Sequence, residues 1–210
     1  MTRSIIFVII LLNTAKAQIA APVIPPAEIT KTLDDWMVYG EENLFWSADY
    51  TALDTADKPM TKLQFMIALK TGKYLPLRLK TKDTTYRLYP LDEKVDTEVR
   101  FRIKSEGEIE IRNLKAVGTA LPAYHFTDLD GISKDVVFIA LAFDSTEVLK
   151  KFLLKNPFRY AIVPDQEDYE EHQWKSQGYP THIVVNKSGL IEKVIVGASP
   201  DELKDVLKKL

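Results

Sequence analysis

Apolar and polar positions alternate most clearly near the end of the chain. Residues 182–185 and 190–196 are rich in β-branched side chains, and the Asn-Lys-Ser-Gly sequence between them, at 186–189, is typical of a tight turn. The glycine of that turn accommodates a positive φ, which other residues rarely adopt. The pattern therefore predicts two strands joined as a β-hairpin.

A proline stands immediately before the first strand of this hairpin. Pro180 has no N–H to donate to a β-ladder, so it is expected at a strand start or an edge, and the Tyr179-Pro180 bond is a candidate for the cis form. Beyond the hairpin, Ser199 and Pro200 predict the start of a helix, because serine caps helix N termini and proline suits the first helical position.

The stretch before the hairpin predicts a strand followed by a helix. Residues 136–143 are largely apolar, and residues 146–155 follow Ser145, a residue type that caps helices. A short apolar segment, 160–163, comes before the polar stretch that leads to the hairpin.

The first half of the chain predicts a mixture of helices and strands. Thr61 and Gln64 form a capping box that opens a helix to about Lys70, and Gly72 ends it. The other expected elements are a helix from about residue 26, a strand or turn at 49–54, a hairpin pair at 75–79 and 85–91, a short helix within 92–105, and a strand at 108–115.

The order of these parts in the second half resembles a known family. The run Gly178-Tyr179-Pro180-Thr181 before an apolar strand, a Lys-Ser-Gly turn, a second strand and a closing helix is similar to the C-terminal half of thioredoxin-like proteins. With the upstream strand and helix, the match covers about residues 119–210. It is nearest to the redoxin, or TlpA-type, thiol–disulfide oxidoreductases that bacteria export.

The resemblance implies an α/β fold in two domains. Residues 18–118 would form a small α+β N-terminal domain, of the kind that precedes the redoxin domain in some exported relatives. Residues 119–210 would form a truncated thioredoxin-like domain, and the linker between the two is expected at 117–122.

The chain departs from this family at its chemistry. It contains no cysteine, and thiol–disulfide exchange needs a thiolate. The family carries its Cys-x-x-Cys on a strand–helix unit after the loop that matches residues 127–131, but here only Ile132 and Ser133 separate that loop from Lys134. Because a strand–helix–strand unit takes roughly 30 residues, we infer that the strand–helix unit is absent.

In the family, the absent strand lies in the middle of the sheet, between the strands that match 136–143 and 182–185. Those two strands must either pair directly or leave a slot that something else fills. An unfilled slot exposes backbone groups and apolar surface, which favours association.

The N terminus has the pattern of a secretory signal peptide. A basic start, an apolar run at 4–12 and the small-x-small sequence Ala15-Lys16-Ala17 predict a signal peptide over residues 1–17, and hence a periplasmic or secreted protein. An apolar run of about nine residues is shorter than the ~20 needed to span a bilayer, so we expect no stable membrane span. A net charge of −2 without a basic block disfavours nucleic acid as a partner.

Tyr179, Pro180 and Thr181 are the candidate binding residues. In the family this loop faces the cysteine pair and offers backbone hydrogen bonds to an extended substrate. Here it would dock an extended peptide or a protein partner by strand addition, at the loop or at an exposed sheet edge. The alternative is that Pro180 only shapes the turn into the strand.

We predict no catalytic, cofactor or metal site. His172 and His182 lie near the acidic residues of 165–171, but neither histidine belongs to a ligand pair at helical spacing. Ser145 and Ser199 are explained as helix caps. We therefore expect a non-catalytic binding or interaction module. The alternative is a degenerate or internally deleted oxidoreductase with no activity of its own.

Overall fold

The computed structural model describes residues 20–121, 139–158, 160–176 and 178–207, and these combine helices and strands in an α/β fold. The helices are α1 (Pro26–Ile29), α2 (Leu33–Asn43), α3 (Lys62–Lys70), α4 (Thr97–Ala116), α5 (Thr146–Leu153) and α6 (Pro200–Leu207), with a π-helix at Tyr169–Trp174. The strands are β1 (Thr51–Leu53), β2 (Pro59–Met60), β3 (Tyr74–Arg78), β4 (Thr85–Pro90), β5 (Ile139–Leu141), β6 (Ala161–Val163), β7 (Thr181–Val185) and β8 (Ile191–Val196).

A mixed four-stranded sheet organises the first half, in the order β2-β1-β4-β3. The predicted hairpin is confirmed, because β3 and β4 pair antiparallel with Leu77 opposite Arg87. The capping box is also confirmed: Thr61 and Gln64 satisfy each other's backbone N–H groups at the start of α3, and Gly72 follows its end with a φ of 69°.

Buried aromatic side chains join α2 and the segment after it to this sheet. The Tyr39 hydroxyl donates to the carbonyl of Pro76 at 3.0 Å, and the Tyr86 hydroxyl donates to the carbonyl of Asn43 at 3.0 Å. Both rings are almost fully buried. Each hydroxyl therefore ends in a hydrogen bond, which keeps the cost of burying it low.

The prediction that region 92–115 divides into a helix and a strand is wrong. A single 20-residue helix, α4, runs through it, where a short helix and a strand at 108–115 were expected. Alternating isoleucines at 109 and 111 imitate a strand, whereas the residues that α4 buries, among them Val99, Ile103 and Gly107, recur at helical spacing.

The helix expected from residue 26 is in fact two helices. α1 ends at Ile29, and α2 restarts after Thr32, whose side chain accepts a hydrogen bond from the backbone N–H of Asp35 at 3.1 Å. A threonine that caps in this way favours a helix start over a continuous helix.

Two small sheets make up the described part of the second half. β5 and β6 pair parallel, and β7 and β8 pair antiparallel as the predicted hairpin. The Tyr179-Pro180 bond is cis, and Gly189 in the turn has a φ of 78°. Both sequence predictions are confirmed.

α5 begins after Ser145, whose side chain accepts from the backbone N–H of Val148 at 3.5 Å, so this predicted cap is confirmed. The helix ends at Leu153, slightly before the expected residue 155. Residues 136–138 of the expected strand lie outside the described residues, as does the junction at 131–134.

The two strands expected to flank an absent central strand do not pair with each other in the described part of the chain. There, β5 pairs only with β6, and β7 pairs only with β8. Each of these strands therefore keeps one edge without a ladder partner among the described residues.

The predicted linker is fixed along the hairpin. The Gly118 N–H donates to the carbonyl of Ile191 at 2.8 Å, and the Ile191 N–H donates to the carbonyl of Thr119 at 2.8 Å. Ala120 also forms an antiparallel bridge with Leu190. The linker thus occupies the outer edge of β8, so within this hairpin only the far edge of β7 lacks a partner among the residues that the structure describes.

Candidate functional site

The predicted binding loop lies at the start of β7, and its backbone is fixed on both sides. The Pro180 carbonyl accepts from the Gly197 N–H at 2.8 Å, and the Thr181 hydroxyl donates to the Gly178 carbonyl at 2.6 Å. Tyr179 stays 59% exposed. The loop therefore presents an aromatic ring on a well-bonded backbone.

An aromatic pair forms beside this loop. The rings of Phe143 and Tyr179 meet edge to face, with centroids 5.5 Å apart and an angle of 82° between their planes. Phe143, which follows β5, is 39% exposed. The structure thus joins the loop to the end of β5, a contact that the sequence pattern did not predict.

Backbone alternation shows which groups of β7 face its open edge. Pro180 and Asn186 both bond across to the β8 side of the hairpin, through Gly197 and Leu190. Because hydrogen-bonding direction alternates along an antiparallel strand, the N–H and C=O groups of Thr181, Ile183 and Val185 point towards the other edge. That edge has no ladder partner among the described residues.

The acidic segment 165–171 lies at the same end of the small parallel sheet. The Asp165 N–H donates to the carbonyl of Asp144 at 3.1 Å, and the Gln166 N–H donates to that of Ala142 at 2.9 Å. The π-helix that follows was not predicted, because the region reads as a solvated polar stretch. It brings Glu170 up to Tyr179: burial raises the pKa of Glu170, and the Tyr179 hydroxyl lowers it.

The residues considered for a metal site do not assemble into one. Nδ1 of His172 lies 3.2 Å from a carboxylate oxygen of Asp168, and both side chains are exposed, while His182 lies on β7. Within the described ranges, no group of three or more potential ligands is close enough to hold a metal ion.

A second concentration of polar groups lies where α4 faces the hairpin, and the sequence reading missed it because it treated 108–115 as a strand. The Trp46 indole N–H donates to Glu106 Oε2 at 3.2 Å, and the Asn113 amide donates to Glu110 Oε1 at 3.1 Å. Burial raises the pKa of each carboxyl to about 7. Each carboxyl therefore holds its proton to a higher pH than an exposed glutamate does.

Glu202 of α6 completes this group, which we call the glutamate cluster (Glu106, Glu110 and Glu202). Its carboxylate accepts from the Ser47 hydroxyl at 2.5 Å and lies 2.9 Å from Lys193 Nζ. The charge of Glu202 adds to the effect of burial in raising the pKa of Glu110. A cleft of about 430 Å³ separates α2 and α4 from residues 196–199 beside it.

The glutamate cluster acts as a contact between the two halves of the chain. Its members come from α4 and α6, and Glu202 ties the segment after α2 to β8. Paired carboxyls with raised pKa values also occur in acid–base sites. Here, though, the described partners of Glu106 and Glu110 are Trp46 and Asn113, which supply no nucleophile.

The three tryptophans have separate surroundings. Trp36 is buried in the N-terminal core, and Trp46 packs against that core, with its ring 5.1 Å from that of Tyr86. Trp174 ends the π-helix. Core packing therefore explains the first two.

No protein-family model, curated protein or solved structure matches this chain. Among the described residues, no helix has the length and apolar character needed to cross a bilayer.

Proposed function

We propose that this chain is an exported, cysteine-free protein of the redoxin or TlpA type that binds an extended peptide without catalysing a reaction. The peptide would lie along β7, starting at Tyr179, Pro180 and Thr181. One observation carries the proposal: β7 offers an edge without a described ladder partner, directly beside an exposed aromatic pair.

Strand addition suits this edge physically. Outward-facing backbone groups on Thr181, Ile183 and Val185 are spaced to bond alternate residues of an added strand. Each main-chain hydrogen bond contributes about 1 kcal/mol after exchange with water. Tyr179 and Phe143 add apolar contact for one side chain of the peptide. The backbone hydrogen bonds would therefore supply the affinity for the peptide, and this ring pair would select the side chain that lies against it.

The absence of cysteine supports a binding role over thiol exchange. The chain has no thiolate to attack a disulfide. Residues 119–210 would then keep the family's peptide-facing loop at Pro180 without its redox chemistry. Residues 1–17 would direct export to the periplasm or the medium and be removed.

Peptide binding is tested by fluorescence anisotropy with the exported chain. We expect an extended peptide rich in valine and threonine to bind, and the same peptide N-methylated at alternate residues to lose binding, because the methyl groups block its ladder N–H donors. Equal binding of both peptides would exclude strand addition.

The aromatic pair is tested in the same assay. Tyr179→Ala should weaken binding by about tenfold, equivalent to about 1.4 kcal/mol. Phe101→Ala is the matched control, since Phe101 is an aromatic residue on α4 that is 64% exposed and remote in sequence from the loop. A similar loss in both variants would contradict a site at Tyr179.

The second candidate is a degenerate oxidoreductase with no function of its own. The separation of the second half into two two-stranded sheets in the described residues favours it, because isolated two-stranded sheets are marginally stable. A non-cooperative thermal melt with soluble aggregates would support this candidate. A cooperative melt in a monodisperse peak would support the binding module.

A further inference from the structure

The end of the β5–β6 sheet gathers charge and aromatic surface in one place. The carboxyl ends of parallel strands meet at the same edge, and open α/β sheets bind ligands outside that edge. Here Phe143 follows β5, and the backbone bonds from Asp165 and Gln166 hold the acidic segment next to it. The open edge of β7 starts at the neighbouring residue pair, Tyr179-Pro180.

The acidic segment is strongly unbalanced in charge. Five of its seven residues are acidic, and no lysine or arginine follows before Lys175. The acidic residues are Asp165, Glu167, Asp168, Glu170 and Glu171. Asp168 is the only one with an ion-pair partner among the described side chains, the exposed His172. The other four carboxylates form no ion pair there, and Glu170 already interacts with the Tyr179 hydroxyl.

Two of these carboxylates act on the aromatic pair itself. Desolvation raises the pKa of the Tyr179 hydroxyl, and the negative charges of Glu170 and Glu171 raise it further. The Tyr179 ring remains 59% exposed and so can accept a cation on its face. An aromatic face next to carboxylates binds an ammonium or guanidinium group through cation–π and charge-assisted contacts.

A buried acceptor lies at the same end of the sheet. Gln166 is only 8% exposed, and its side-chain N–H donates to the Pro164 carbonyl at 2.7 Å. Its Oε1 has no hydrogen-bond partner among the described residues. Buried acceptors are normally satisfied, so this end of the sheet holds an acceptor that the described residues leave without a donor.

We infer that the partner at the Pro180 loop is an extended segment with a lysine or arginine, whose cationic group lies against Tyr179, beside the acidic segment that contains Glu170 and Glu171. This inference rests on the proposed peptide binding and adds that the site prefers a positively charged peptide. Charge complementarity argues for a basic segment as the occupant of this surface.

A peptide series that differs only in charge tests the inference. Three labelled valine- and threonine-rich peptides carry two lysines, two glutamines or two glutamates at the same positions. In anisotropy titrations at about 20 mM salt, we expect the lysine peptide to bind about tenfold tighter than the glutamine peptide, and the advantage to shrink at about 300 mM salt because ions screen it. The glutamate peptide should bind weakest.

Charge-neutral variants locate the effect. Glu170→Gln combined with Glu171→Gln should remove most of the lysine preference, so that the lysine and glutamine peptides bind this variant with similar affinity. The matched control is Glu41→Gln combined with Glu42→Gln, an adjacent exposed pair on α2. An equal loss in both double variants would overturn a local site.

The outcomes separate the two proposals. If the three peptides bind equally, or the glutamate peptide binds tightest, the charge preference is wrong and the proposed peptide binding stands. If none of the three binds, the proposed function fails and the charge preference fails with it.

Discussion

At the scale of single residues, Glu106 and Glu110 have the largest consequence for stability. Burial raises the pKa of both carboxyls in the folded chain to about 7, from a usual value of 4.5. The folded chain therefore holds more protons than the unfolded chain between those two values. Stability is greatest at the acidic end of this range and falls as the pH rises through about 7.

Replacing both residues should flatten this pH dependence. A shift of this size corresponds to roughly 3 kcal/mol per group, and because Glu106 is partly exposed and the two groups interact, we expect about 3 kcal/mol for the pair. In urea unfolding followed by tryptophan fluorescence, Glu106→Gln with Glu110→Gln should be more stable than the parent at pH 8 and similar to it at pH 5.

Glu108 provides the control for this measurement. It lies between the two glutamates on the same helix but is exposed, 3.5 Å from Lys70 Nζ. Glu108→Gln should leave the slope of stability against pH unchanged, because an exposed ion pair contributes little. A parent protein that is equally stable at pH 5 and pH 8 would show that the two buried carboxyls are not protonated in the fold.

At the scale of elements, the contact between α3 and α4 depends on Gly107. A Cβ at this position would lie 2.7 Å from the backbone nitrogen of Lys70 and 3.0 Å from the carbonyl oxygen of Met66. Those atoms belong to the backbone of α3 and cannot move independently. Glycine is therefore required where the two helices approach each other.

Gly107→Ala should destabilise the chain by about 1–3 kcal/mol, since the helices must separate to admit a methyl group. The control is Gly40→Ala on α2, where the added Cβ would meet no atom within 4 Å. That change should stabilise by up to about 1 kcal/mol, because alanine favours helix over glycine. Urea denaturation measures the free energy of unfolding of both variants, which should change in opposite directions. A Gly107→Ala variant as stable as the parent would contradict the close helix contact.

Local signals account for the elements that sequence reasoning predicted well. Ser145 and the Thr61 capping box mark helix starts with a specific hydrogen bond, and the turn at 186–189 requires its glycine. Each of these features is decided by a few neighbouring residues. For that reason both hairpins, the two capped helices and the cis bond before Thr181 could be predicted.

Tertiary contacts decided what the sequence reading missed. The region 108–115 alternates like a strand, but packing of α4 against α3 around Gly107 makes it helical. The pairing of Phe143 with Tyr179 joins residues 36 positions apart, and no local pattern encodes it. The loop of the candidate site was thus predictable, whereas its aromatic partner and the glutamate cluster were not.

At the scale of the whole molecule, the two halves are joined where α4 packs on β8 and where the linker pairs with Ile191. The glutamate cluster lies at this junction. Arg102 lowers the pKa of Glu106, and Lys62 and Arg112 lower that of Glu110, but burial outweighs these bases. As the pH rises through about 7, Glu106 and Glu110 therefore add negative charge beside Glu202, whose direct partner is Lys193.

We expect the two halves to unfold together at pH 5.5 and in two steps at pH 8.5, because repulsion within the ionised cluster weakens their junction while each half keeps its own sheets. Circular dichroism during heating, at both pH values, measures the number of transitions. Glu110→Gln should restore a single transition at pH 8.5, because it removes the buried charge that Glu202 repels. Glu108→Gln should not, and a single transition in the parent at both pH values would show that the linker and the α4–β8 contact hold the halves together without help from the cluster.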